Sequence, residues 1–182
     1  MTHEPPLPRS ESWHARTPTP AQVTAKWLAA QRPSSKNLRI VDVCRHTAGD
    51  SPIYLPGAVH LNWERAFGKP PAIGPSPLVL ASELSRLGIG DDHVIVLYDE
   101  GRDARALAAY RWLRRYGHSN TFVLAGGRAE WLRRRGPISH EQSSYAPSSF
   151  TVRMKPQRHR TAIEWGDVLM LQSETSPSGR AA

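Results

Sequence analysis

The strongest constraint on the fold is a single stretch. Five apolar residues, Val94–Tyr98, run straight into Asp99 and a turn that contains Gly101. A short run rich in β-branched residues is the pattern of a buried parallel strand. From 103 to 116 the period becomes helical, with Ala106, Leu107, Ala109, Tyr110 and Leu113 on one face. Gly117 then stands where a helix takes its C′ glycine. A strand that feeds a loop and a helix N-terminus converges backbone N–H groups on one point, which suits an anion or a nucleophile. Chemistry on such a rim needs a thiol or hydroxyl at the turn. Here the strand ends in a carboxylate.

The rest of the chain repeats the strand–helix alternation. Thr24 is a candidate N-cap for a helix over 25–31, with Trp27 and Leu28 facing inward. Residues 38–43 read as a strand ending at Cys44, and 58–63 as another after the Pro56-Gly57 turn. Residues 70–77 form a proline-glycine loop, and 82–87 belong to a short helix closed by Gly88. Residues 121–124 make a fourth clear strand, with Gly126-Gly127 and a short helix to 135 behind it. This order implies a parallel α/β sheet covered on both faces. Its functional rim lies at the carboxyl ends of the strands, so Cys44, Asp99 and Gly126 are expected on one edge.

The flanks differ in composition. Residues 1–18 hold four of the 16 prolines and no apolar period, and are expected to be a disordered leader. The folded domain is expected over 19–139, and 140–182 as a Ser-, Gln- and Pro-containing linker and tail. Within the tail Ile163, Trp165, Val168, Leu169, Met170 and Leu171 concentrate apolar area, so 161–171 is expected to form a short helix, either folded back on the domain or engaged with a protein partner or a second copy. No apolar run reaches membrane-spanning length and no secretory signal pattern is present, so a cytoplasmic protein without a membrane partner is expected.

The net charge of +8 raises nucleic acid as a partner, but 20 of the 24 basic residues are Arg and most are scattered. No basic stripe interleaved with aromatics appears, and no nucleic-acid partner is expected. A single cysteine leaves no internal disulfide and no multi-cysteine metal site. His60 and His118 read as strand-end and turn residues, no ligand spacing supports zinc, and neither metal nor cofactor is expected.

From Val23 to Ile138 these pieces together resemble a rhodanese domain. The residues that carry the likeness are Ile40-Val41-Asp42-Val43, Leu55-Pro56-Gly57-Ala58-Val59-His60-Leu61, Gly117-His118-Ser119-Asn120, Val123-Leu124-Ala125-Gly126-Gly127 and Gly136-Pro137-Ile138. The likeness implies a parallel five-stranded sheet with helices on both faces. It is nearest to the N-terminal, non-catalytic halves of two-domain thiosulfate and 3-mercaptopyruvate sulfurtransferases, which also carry Tyr-Asp at this point and a Trp in the following helix, here Trp112. The 150–152 and 163–171 segments resemble the linker and start of the second half. In the family a persulfide-bearing cysteine follows the central strand; here Asp99 occupies that place.

Sulfur transfer needs a polarisable nucleophile whose pKa is lowered by amides and a helix dipole, which a carboxylate cannot replace. Asp99 is therefore expected to cap the loop Asp99-Glu100-Gly101-Arg102-Asp103-Ala104-Arg105 and close it to anions. Cys44 is the lone candidate thiol, with Arg45, Arg102 and Arg105 as groups that would favour its thiolate. Three functions follow: a non-catalytic structural or regulatory module, a sulfurtransferase (thiosulfate or 3-mercaptopyruvate as donor) or thiol-redox enzyme using Cys44 or a partner's cysteine, and a protein-interaction adaptor. Thiosulfate is the sulfur-donor anion that the resemblance implies.

Overall fold

The structure is a computed structural model that describes residues 21–31, 36–47, 49, 51–68, 74–101 and 104–154. Five strands, β1 (Gln22–Val23), β2 (Leu38–Asp42), β3 (Ala58–His60), β4 (Val94–Tyr98) and β5 (Thr121–Leu124), form one sheet in the order β1-β5-β4-β2-β3. Every pairing is parallel. Among the described residues five helices cover it: α1 (Ala25–Ala30), α2 (Trp63–Phe67), α3 (Pro77–Arg86), α4 (Arg105–Arg115) and α5 (Gly127–Arg133). This is the expected α/β architecture. Among the described residues no helix is long and apolar enough to cross a membrane.

Strand alternation divides the core in two. Val41, Val43, Val59, Leu61, Ile95, Leu97 and Val123 face α2, α3 and α4, where Phe67, Leu84, Tyr110 and Leu113 meet them. Ile40, Cys44, Ala58, Val96, Tyr98, Phe122 and Leu124 face α1 and α5, against Leu28 and Trp131. The central β4 is buried on both faces, which is why its sequence is an unbroken apolar run.

Several boundaries differ from expectation. The third strand stops at His60, because the Asn62 side chain accepts the Arg65 N–H at 3.0 Å and starts α2 in the residues read as strand. Helix α3 begins at Pro77, not at 82: proline at the first turn has no N–H to lose and its φ is already helical. Thr24 caps α1 as expected, accepting the Trp27 N–H at 3.1 Å.

The largest departure concerns the segment expected to be a linker from 140 onward. Residues 139–154 instead return along the domain. Ser139 pairs with Tyr54, the Ser143 N–H donates to Ala58 O, Ser148 N–H to Ser85 O, and Arg153 N–H to Tyr116 O. Phe150 is 6% exposed and enters the core of the α3–α4 face, stacked on His118. The compositional signal misled because Ser and Pro also suit an extended strap whose backbone bonds are made one at a time. The leader (1–18) and the tail cluster (161–171) lie outside the described residues.

Candidate functional site

Asp42 and Tyr98 are register partners at the carboxyl ends of β2 and β4, so Cys44 and Asp99 emerge at the same edge as Gly126, which follows β5. Asp99 is buried at 6% exposure. Its Oδ1 accepts the Gly101 N–H at 2.6 Å and its Oδ2 accepts the Ala106 N–H at 3.0 Å. The second bond reaches an amide in the first turn of α4, whose own N-cap, Ala104, offers no side-chain acceptor. Asp99 therefore caps α4 from five residues upstream, across a loop that needs positive φ at Gly101 and Ala104.

The β5–α5 turn closes this loop from behind. The Arg128 N–H donates to Asp99 O at 2.8 Å. A Cβ on Gly127 would sit 2.4 Å from Asp99 O, and one on Gly101 would sit 2.6 Å from Gly126 O, so both glycines permit direct backbone contact. Arg128 also forms an ion pair with Glu100 and donates to Ile53 O at 2.8 Å. It ties three loops together, and no local motif distinguishes it. The Arg105 guanidinium lies 5.8 Å from the centre of the Trp63 ring, and Ala104 is exposed. Arg102 and Asp103 lie outside the described residues.

Cys44 occupies an unfavourable place for a nucleophile. It is 2% exposed. Burial pushes its thiol up, and the Asp42 carboxylate beside it pushes further than Arg128 can offset. Among the described residues the arginine that favours the thiolate is Arg128, opposed by Asp42 and Glu100, rather than Arg45 or Arg105. A thiol held neutral and away from solvent lacks the reactive thiolate form.

Beside Cys44 lies a cluster that the sequence spacing did not expose. Asp42 Oδ2 is 2.6 Å from His46 Nε2 and 3.4 Å from His60 Nδ1, while Asp42 Oδ1 accepts the Cys44 N–H at 2.9 Å. Burial alone would raise the Asp42 carboxyl. The His60 ring, the thiol and amide of Cys44 and the His46 ring outweigh it and hold the carboxyl below the usual range. Asp42 and His60 are register partners in adjacent strands, a relation invisible in linear spacing. His118 is elsewhere, bonded through Nδ1 to Thr121 at 2.8 Å.

Comparison with known proteins agrees with the fold. The Rhodanese-like domain family matches residues 24–134. Bovine thiosulfate sulfurtransferase is 31% identical over 146 residues, covering 71% of this chain and 49% of the relative. The sulfur carrier protein TtuD of Thermus thermophilus is 31% identical over 100 residues, covering 54% of this chain and 35% of the relative. In structure, the 3-mercaptopyruvate sulfotransferase SseA of Escherichia coli superposes with a TM-score of 0.67 at 24% identity, over 86% of this chain and 63% of that one. The chain spans about half the length, or less, of these curated relatives. The sheet order, the strand–loop–helix rim and a family match over most of the described domain agree, and the chain belongs to the rhodanese-like domain family.

Proposed function

We propose that this chain is a rhodanese-like module of the thiosulfate sulfurtransferase class that acts structurally or as a regulator rather than by carrying sulfur itself. The observation that carries the reading is the pair of bonds from the Gly101 and Ala106 amides to the Asp99 carboxylate. Those amides are the donors that would face a persulfide or a bound anion, and the protein's own carboxylate already takes them. Asp99 cannot hold a second sulfur, and the buried Cys44 thiol is a poor substitute. The reading sets the module in the cytoplasm, with a sulfur-bearing anion such as thiosulfate, or a protein that carries sulfur, as its partner.

The test is sulfur transfer from thiosulfate to cyanide by the purified chain, with Cys44→Ser alongside. Thiocyanate is expected at the buffer rate for both. Turnover by the wild type that vanishes in Cys44→Ser would replace this reading with an enzyme that uses Cys44.

A further inference from the structure

We propose that Asp42, His46 and His60 form a binding site for a late first-row divalent cation, with Zn²⁺ as the fitting ion. Their ligand atoms, one carboxylate oxygen and two imidazole nitrogens, lie within 4.8 Å of one another. Two imidazoles and a carboxylate are the donor set of zinc and its neighbours, whereas magnesium and calcium take oxygen ligands. The site does not depend on the sulfur-transfer reading, since none of the three residues belongs to the Asp99 loop.

Three features of the cluster favour a cation. First, the His60 Nδ1 atom is screened from solvent and has no hydrogen-bond partner, though it stands 3.4 Å from Asp42 Oδ2. A buried ring nitrogen this close to a carboxylate oxygen, with no aligned hydrogen bond between them, is spaced as two ligands of one ion are. Second, the carboxylate is already oriented. The Cys44 amide holds Oδ1 at 2.9 Å and leaves Oδ2 turned toward both rings. Such outer bonds are what fix a metal ligand in place. Third, the Asp42 side chain is fully buried, while His46 and His60 keep 16% and 18% exposure, so the ion can enter and water can complete its coordination.

Tetrahedral zinc separates neighbouring nitrogen and oxygen ligands by roughly 3.3 Å, as follows from bonds of about 2.0–2.1 Å. The Asp42–His60 separation is already of this size, and the Asp42–His46 contact of 2.6 Å must open. His46 lies on the loop after β2, outside the strand, where a ring rotation accomplishes this. Coordination through Nε2 requires the tautomer that carries its proton on Nδ1, the form an imidazole takes whenever Nε2 is the ligand.

Cobalt(II) is the probe, because tetrahedral coordination gives it visible d–d absorption. Titration of the whole chain with Co²⁺ is expected to reach one equivalent with those bands, and Zn²⁺ to abolish them by displacement. Zn²⁺ in hundredfold excess over its dissociation constant is expected to raise the melting midpoint by about 5–10 °C. His46→Ala and His60→Ala are each expected to weaken binding more than tenfold, and His140→Ala to leave it unchanged. Urea midpoints without metal identify any variant that fails to fold, in which case His46→Gln and His60→Gln stand in. Absence of the d–d bands, or binding that both histidine variants retain at wild-type strength, would overturn the site.

Discussion

A carboxylate at the end of a buried strand must find donors or rise in energy, and Asp99 finds two amides, one on each oxygen. Asp99→Ala strips the first turn of α4 of its acceptor and is expected to cost about 0.5–2 kcal/mol in urea denaturation. Asp99→Asn keeps one acceptor oxygen and should cost less. An unchanged midpoint in Asp99→Ala would mean that the bonds carry no stability. His118 gives a pH-dependent counterpart. Burial pulls its pKa down from 6.5 to about 4, further than the nearby Gly90 backbone and Asp91 can offset, so the folded state keeps the ring neutral above that value. As pH falls from 6.5 toward 4 the unfolded chain takes up a proton that the folded chain refuses, so stability present above pH 6.5 is lost. The loss over that window is on the order of 3 kcal/mol, and urea midpoints of His118→Gln should fall less steeply than those of the wild type. The two amide bonds to Asp99 follow a signal the sequence carries, since a strand-end carboxylate before a helix has few available partners. The Asp42–His46–His60 cluster has no such signal, since it depends on the β2–β3 register.

At the scale of elements, α3 and α4 end alike. Ile89 N–H bonds back to Leu84 O and His118 N–H to Leu113 O, with Gly88 and Gly117 at positive φ between. Both glycines also lie under the 139–154 strap: a Cβ on Gly88 would meet the Cβ of Tyr145 at 2.5 Å, and one on Gly117 would meet Arg153 O at 2.7 Å. The helix ends thus shape the track on which the strap lies. Phe150 is its anchor. Phe150→Ala is expected to cost about 3–5 kcal/mol, the range for a buried phenylalanine, read as a lowered urea midpoint. A cost of under about 1 kcal/mol would show the strap to be loosely held. Those glycines announced the helix ends in the sequence, but nothing in it announced that a later segment would use the same positions. Helix α2 escaped for a related reason. Asn62 follows an apolar strand directly, and whether its side chain caps a helix or the strand continues is settled by packing of Ala66 and Phe67 into the core.

For the whole molecule the open quantity is what residues 155–182 add to a domain whose described part ends at Met154. The sequence places Ile163, Trp165, Val168, Leu169, Met170 and Leu171 close together, after Arg153, Lys155, Arg158 and Arg160. Each larger apolar side chain left in water forgoes roughly 1.5–3 kcal/mol, so the cluster favours association. The net charge of +8 opposes contact between copies at low ionic strength, and salt screens that repulsion. Self-association through 161–171 is therefore expected to strengthen as salt rises, the reverse of a contact held by ion pairs. Light scattering on the full chain should give a mass above 20.3 kDa that grows with salt. A chain ending at Met154, chosen so that the Phe150 anchor and the Arg153 bond to Tyr116 are kept, should stay monomeric with an unchanged melting midpoint. Equal monomer masses for both chains at every salt concentration would remove self-association as the role of the tail. A lowered midpoint in the shortened chain would instead show that the tail packs on its own domain.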